Sequence, residues 1–227
     1  MQTLDMTYIH APATYDFRER SIMYGPVSDM VPSTPIFEMY PLGLTTLSEY
    51  FERHGLRARI YNLASMMLHK KGFDVEANLS KLDSLAFGID LHWMPHCHGS
   101  VEVAKILKRL HPHTPVMFGG LSATIFHEDL IAYDCVDYVV RGDSTEEPMR
   151  RLIARLKDAA RNHVPVGDLS DIPNLTWKDQ SGVHVNELSY IPDSMDHLDI
   201  DYGWIVRSVI RHRDLEGAKP FKDWDRF

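Results

Sequence analysis

Short apolar runs that alternate with segments of helical period constrain the fold of this sequence more than any other feature. Five such runs lie at residues 6–10, 57–63, 84–91, 115–120 and 136–140. The fourth run is apolar without interruption, which is typical of a parallel strand that helices cover on both faces. Strands that alternate with helices in this way predict an α/β fold with a doubly wound, five-stranded parallel sheet and right-handed crossovers.

Helical segments fill the intervals between these runs. Leu44, Leu47 and Phe51 share one helical face. Ser100 is expected to cap the helix that follows the third strand, and residues 144–147 (STEE) form a capping-box signature before another helix. The sequence therefore predicts a strand-helix domain over residues 1–161.

The remaining segments carry less regular patterns. Residues 13–40 are polar and rich in proline without any period, so we expect a functional lid or platform there. Residues 175–177 and 183–185 flank a turn-forming KDQSG segment and predict a β-hairpin. We interpret residues 162–227 as this hairpin followed by a linker with one helix over 204–212.

Composition excludes several classes of function. A formal charge of −8 with scattered basic residues argues against a nucleic-acid partner. The two cysteines, Cys97 and Cys135, have no CxxC spacing, which indicates a reducing, cytoplasmic setting and no disulfide framework. No apolar run approaches the length of a membrane span, so we expect no membrane partner.

Glycines mark the place where chemistry is expected. Open α/β sheets bind ligands at the carboxyl ends of their strands, and Gly119-Gly120 ends the fourth strand. This pair is consistent with a tight turn or with backbone that lies against a flat ligand. Gly88, inside the third strand, is a second position at which another body could approach closely.

A histidine-rich loop follows the third strand. His92, His96, Cys97 and His98 are residue types that bind zinc, iron or cobalt, but their spacing matches no zinc module. A polar loop at a ligand crevice is the favoured interpretation. A metal-dependent hydrolase that uses the three histidines stays an alternative, and it would carry stoichiometric zinc or iron.

The loops of this sequence lack the motifs of other ligand-binding proteins with this fold class. A dinucleotide-binding domain needs GxGxxG after the first strand, where this chain has HAPATYD. The same loop lacks the glycine-rich and hydroxyl-rich phosphate site of a flavodoxin. It also lacks the acidic pair of a phospho-receiver.

The order of segments over residues 6 to about 200 resembles a known family, the N-terminal cobalamin-binding domains of cobalamin-dependent radical S-adenosylmethionine enzymes. The motifs that carry the resemblance are Pro41-Leu42-Gly43-Leu44 (PxGL-like), Gly88-Ile89-Asp90, Phe118-Gly119-Gly120, Arg141-Gly142-Asp143 with Glu146 (GEGE-like), and the connector at residues 173–182. The resemblance implies a Rossmann-like domain of the cobalamin-binding type. It places a corrin ring across the strand ends and the nucleotide tail beside Gly119-Gly120.

The resemblance also implies the residues of the cofactor site. These are Pro12, Gly43, Gly88, Ile89, Asp90, His92, Gly119, Gly120, Leu121, Ser122, Arg141, Gly142 and Asp143. No catalytic residue is expected in this chain.

Two departures from related proteins qualify this expectation. Cobalamin proteins that supply a histidine to cobalt carry DxHxxG after strand one, whereas Asp90-Leu91-His92 follows strand three here and Pro95 stands in place of the glycine. We therefore expect cobalamin with its own base displaced and no cobalt ligand from that motif, although His10 or His92 could approach a corrin face. The CxxxCxxC motif for a four-iron cluster is also absent.

The leading hypothesis is a cobalamin-binding module of a longer enzyme. In that enzyme a radical S-adenosylmethionine barrel would supply the 4Fe-4S cluster and S-adenosylmethionine for methyl transfer or a rearrangement. The polar and aromatic ending at residues 218–227 favours such a continuation. The alternatives are a free-standing corrinoid carrier and a non-catalytic ligand-sensing or interaction domain.

Overall fold

The computed structural model describes residues 4–19, 41–196, 201 and 203–214. Most of the predicted lid, residues 20–40, lies outside the described residues. The strands are β1 (Met6–His10), β2 (Ala58–Asn62), β3 (Phe87–Asp90), β4 (Val116–Gly119), β5 (Tyr138–Val140), β6 (Leu175–Asp179) and β7 (Gly182–Val185). The helices are α1 (Leu42–Arg53), α2 (Leu63–His69), α3 (Val75–Leu79), α4 (Cys97–Leu110), α5 (Leu121–Ile125), α6 (His127–Ile131), α7 (Glu146–Asn162) and α8 (Gly203–His212).

The strands form one mixed sheet in the order β2-β1-β3-β4-β5-β6-β7. The α/β class and the parallel pairing of the first five strands are confirmed. The prediction of a five-stranded sheet is wrong, because the predicted hairpin pairs antiparallel with β5 and extends the sheet to seven strands. β5 has only three residues and would otherwise be an open edge, and buried Leu175 and Trp177 of β6 extend the core beyond it.

Alternation along the strands divides the core into two layers. In β1, Ile9 packs into the layer under α2 to α6, whereas Tyr8 packs into the layer under α1 and α7. Phe51 of α1 and Leu152 of α7 are fully buried in this second layer. Because α1 and α7 cover the same face, the space between their first turns opens at the carboxyl ends of the strands.

Two helix starts differ from their predictions, and both differences bear on the site. Ser100 is not a cap, because α4 begins at Cys97 and Ser100 lies buried inside it, with its hydroxyl donating to the Asp90 carbonyl at 3.4 Å. Thr145 precedes α7 but makes no side-chain capping bond. Instead, Glu146 accepts a hydrogen bond from Thr46 of α1 at 3.3 Å, so the predicted box joins two helices.

The segment after the sheet returns to α1. The predicted helix over 204–212 is confirmed as α8, which buries Trp204 and Ile205. The backbone N–H of Asp201 donates to the Glu49 carboxylate at 2.8 Å. Within the described residues, no helix has the length and the apolar character needed to cross a membrane.

Candidate functional site

A cleft opens at the carboxyl ends of the strands on the face that α1 and α7 cover. Its walls enclose about 810 Å³, a volume that includes open solvent at the mouth. Its lining consists of Tyr8, Pro41, Gly43, Leu44, Leu47, Gly88, Ile89, Asp90, His92, Met117, Gly119, Gly120, Leu121, Gly142, Asp143, Thr145, Glu146 and Met149. The strand order 2-1-3-4-5 places this cleft beside the point where the order reverses.

Strand register builds the floor of the cleft in two rows. In the deeper row Tyr8 of β1 pairs with Gly88 of β3, which pairs with Met117 of β4. Two residues further along, Asp90 pairs with Gly119 at the rim. Because alternate residues of a strand share a face, both rows lie on the side of the cleft.

Gly88 has a packing role that the sequence did not reveal. A Cβ atom at this position would lie 2.4 Å from the terminal methyl of Met6 and 2.9 Å from the ring of Tyr8. The groups that approach Gly88 closely are thus the Met6 and Tyr8 side chains of the neighbouring strand. The missing side chain lets the Tyr8 ring lie across β3.

The two glycines after β4 have different roles. Gly120 has φ of 108°, and a Cβ atom there would lie 2.8 Å from the backbone of Leu91 and His92. A Cβ atom at Gly119 would meet only the Val140 carbonyl, at 3.8 Å. Gly120 therefore makes the tight turn, and Gly119 presents bare backbone to the cleft.

A buried carboxylate joins two histidines at the rim. Nδ1 of His10 lies 3.0 and 3.1 Å from the two Asp90 oxygens, and Nδ1 of His92 lies 3.0 Å from one of them. Burial would raise the pKa of Asp90, but the charge and hydrogen bond of His10, and then those of His92, hold it well below its usual range. Asp90 is therefore ionised and fixes the His92 ring, whose side chain is 23% exposed at the cleft.

The remaining histidines of this loop have structural contacts. His96 is buried, with its ring centroid 5.2 Å from that of His10. His98 accepts a hydrogen bond from the backbone N–H of Tyr15 at 3.3 Å. Across the part of the chain that the structure describes, no three histidine, cysteine or acidic side chains are arranged to hold a metal ion.

Ten of the thirteen residues predicted from the resemblance line the cleft. They are Gly43, Gly88, Ile89, Asp90, His92, Gly119, Gly120, Leu121, Gly142 and Asp143. The Pro12 carbonyl packs against α4, where a Cβ atom on Gly99 would lie 1.7 Å from it. The Ser122 hydroxyl donates to the His92 carbonyl at 3.2 Å, and the buried Arg141 guanidinium donates to the Asn186 carbonyl of the hairpin. These three residues stabilise the loops around the cleft and are not part of its lining.

Eight residues of the cleft lining were not among those predicted for the cofactor site. They are Tyr8, Pro41, Leu44, Leu47, Met117, Thr145, Glu146 and Met149. Pro41, Leu44 and Glu146 stand in motifs that carry the resemblance, which was an available signal. Met117 and Met149 have no such signal, because an apolar residue in a strand or helix looks the same whether it faces a cleft or the core.

The deep part of the cleft contains an unusual polar group. Tyr8 is 2% exposed, and its hydroxyl has no hydrogen-bond partner among the described residues. Burial, and then the nearby Glu146 carboxylate, raises the pKa of Tyr8 well above its usual range. The hydroxyl therefore stays protonated and able to donate a hydrogen bond.

Polar contacts between α1 and α7 fix the walls of the cleft. The Tyr50 hydroxyl donates to Glu147 at 2.9 Å, and Arg150 pairs with the same carboxylate. Glu146 and Glu147 also occupy the first turn of α7, where the helix dipole stabilises negative charge. The contact between Tyr50 and Glu147 holds α1 against α7 and so keeps the two walls of the cleft in place.

An open, mostly parallel sheet with this strand order and an apolar cleft at the strand ends defines a Rossmann-like ligand-binding domain. The model of the B12 binding domain family matches residues 32–166. The chain belongs to this family, and its cofactor is cobalamin. A comparison with curated protein sequences gives no significant match.

Solved structures with a similar fold come from cobalamin-dependent enzymes. The radical S-adenosylmethionine methyltransferase TsrM from Kitasatospora setae, with cobalamin and a [4Fe-4S] cluster bound, gives a TM-score of 0.55 at 15% identity, over 86% of this chain and 30% of that one. The cobalamin-dependent S-adenosylmethionine radical enzyme OxsB, with aqua-cobalamin and S-adenosylmethionine bound, gives a TM-score of 0.52 at 15% identity, over 82% and 22%. At this identity the similarity shows the fold, and this chain spans less than a third of either protein.

Proposed function

We propose that this chain is the cobalamin-binding module of a cobalamin-dependent radical S-adenosylmethionine enzyme that transfers methyl groups. The observation that carries the proposal is the apolar cleft at the strand ends, in which Gly119 offers backbone without a side chain. The similarity of the fold to TsrM and OxsB supports the class of the parent enzyme. The two free cysteines, Cys97 and Cys135, support a reducing, cytoplasmic setting.

The residues of the cleft fit the cofactor chemically. Leu44, Leu47, Met117 and Met149 supply apolar walls for the flat parts of the molecule. Asp143 and Thr145 supply polar atoms at the mouth for the amide side chains of the corrin. When bound, cobalamin supplies a cobalt centre that carries a methyl group, while the protein supplies orientation and shielding from water.

The rest of the reaction needs groups that this sequence lacks. With only two cysteines and no CxxxCxxC, the chain cannot hold a four-iron cluster with three cysteine ligands. We propose that residues 162–227 lead to a radical S-adenosylmethionine barrel in a longer chain, which binds the cluster and S-adenosylmethionine. The coding sequence beyond Phe227 tests this: CxxxCxxC supports the barrel, and its absence would make the protein a corrinoid carrier.

Cobalamin binding itself is tested with the purified chain. The protein is mixed with hydroxocobalamin and desalted, and its visible spectrum and binding heat are recorded. We expect a coloured protein that retains about one corrinoid per chain, bound in the cleft at the strand ends. A colourless protein that gives no heat of binding would overturn the proposal.

A further inference from the structure

The Tyr8 hydroxyl is the strongest unexplained feature of the cleft. A buried hydroxyl without a hydrogen bond destabilises the folded protein, and most buried polar atoms in proteins have a partner. No protein atom of the described residues satisfies this one. A ligand that brings an acceptor to this point would recover the missing hydrogen bond.

The fold holds the Tyr8 ring in place. Gly88, the directly opposite residue of β3, provides the space in which the ring lies, and a Cβ atom there would lie 2.9 Å from it. On the other side the Phe51 ring packs at a centroid distance of 6.0 Å. The hydroxyl is therefore a donor at a fixed point, carried by a residue whose backbone lies two positions deeper along the sheet than the rim at Asp90 and Gly119.

The surroundings of this donor restrict the chemistry of its partner. The cleft lining supplies apolar surface from Leu44, Leu47, Met117 and Met149, and the Glu146 carboxylate lies near the hydroxyl. The matching ligand group is flat and apolar with one hydrogen-bond acceptor. A corrin ring carries amide groups around its whole edge and does not match, whereas a benzimidazole released from cobalt is a flat apolar bicycle with one free ring nitrogen.

Resting on the proposed function, we propose that the Tyr8 hydroxyl donates a hydrogen bond to the free ring nitrogen of the displaced lower base of cobalamin. Tyr8 is then a specificity-determining residue. It favours corrinoids whose lower base has a nitrogen acceptor over those with a phenolic lower base, whose smaller aromatic ring has none.

The test compares two proteins with two ligands by calorimetry. The proteins are the wild-type chain and Tyr8→Phe, and the ligands are hydroxocobalamin and p-cresolylcobamide, which has no ring nitrogen. We expect Tyr8→Phe to weaken cobalamin binding about tenfold, the value of one net hydrogen bond, and to leave p-cresolylcobamide binding unchanged. For each ligand, the affinities of the two proteins are compared with each other. The free energy of releasing the base from cobalt is the same for both proteins and therefore cancels.

Two controls separate a contact with the ligand from an effect on the fold. Tyr138→Phe removes a hydroxyl in the same row of the sheet, outside the cleft lining, and is expected to change neither affinity. The ligand-free Tyr8→Phe protein is expected to be as stable as the wild type or more stable, because it loses a hydroxyl that lacks a partner.

The failures of the two proposals are distinguishable. If the wild-type chain binds neither corrinoid, the proposed function is wrong. If it binds cobalamin but Tyr8→Phe weakens both ligands equally, or neither, the role assigned to Tyr8 is wrong and the proposed function stands.

Discussion

Replacing Gly119 with leucine is expected to weaken cobalamin binding by about 100-fold or more without unfolding the protein. The new side chain would start at a point where only the Val140 carbonyl lies within 4 Å, on the face of β4 that also carries Met117. It would therefore extend into the cleft and occupy space that the cofactor needs. Overpacking of this kind costs about 1–3 kcal/mol, occasionally more, and the upper end of this range, expected for a side chain as large as leucine, corresponds to about 100-fold or more in affinity.

The neighbouring glycine provides a matched control. Gly120→Ala is expected to lower the free energy of unfolding by about 1–3 kcal/mol. The φ of 108° at this position is strained for a residue with a Cβ atom, and that atom would also meet the backbone of Leu91 and His92. Urea unfolding and calorimetry of both variants separate the two effects. Gly119→Leu protein that keeps wild-type affinity would show that the cofactor does not lie against β4.

The part of the fold that could be predicted is the part with local signals. Apolar or alternating runs of five to eight residues mark β1 to β5, and a helix face marks α1, because these patterns arise from burial of one segment at a time. The hairpin itself was also predictable from its turn. Its position beside β5 was not, because nothing within residues 175–185 indicates which strand edge they will cover.

The candidate site was also only partly predictable from the sequence, because local patterns do not show which distant residues meet. The glycine pair at 119 and 120 was recognisable, but its two roles became clear only from the contacts of each Cβ position. The contact between Tyr8 and Gly88 joins residues 80 positions apart, as does the hydrogen bond between His10 and Asp90. No local pattern predicts such pairs, because strand order and register decide which side chains meet.

Replacing Asp90 with asparagine is expected to lower the free energy of unfolding by about 3 kcal/mol at neutral pH. Asp90 is buried and accepts hydrogen bonds from both His10 and His92, and removal of one partner from a buried charged cluster typically costs about 3–5 kcal/mol. Asparagine keeps one oxygen acceptor, which places the expected loss near the lower end of that range. Asp171→Asn, at an exposed pair with Arg151 and Arg155, is the control and is expected to cost less than about 1 kcal/mol.

The pH dependence identifies the charge of Asp90 as the cause. The pKa of Asp90 in the folded protein lies below its unfolded value of about 3.9, so its stabilisation is fully present above that pH and is lost as the pH falls towards the folded pKa. The difference in unfolding free energy between wild type and Asp90→Asn should therefore shrink as the pH falls below about 4. A difference that stays the same at pH 3 would mean that the shape of the side chain, and not its charge, holds His10 and His92 at the rim of the cleft.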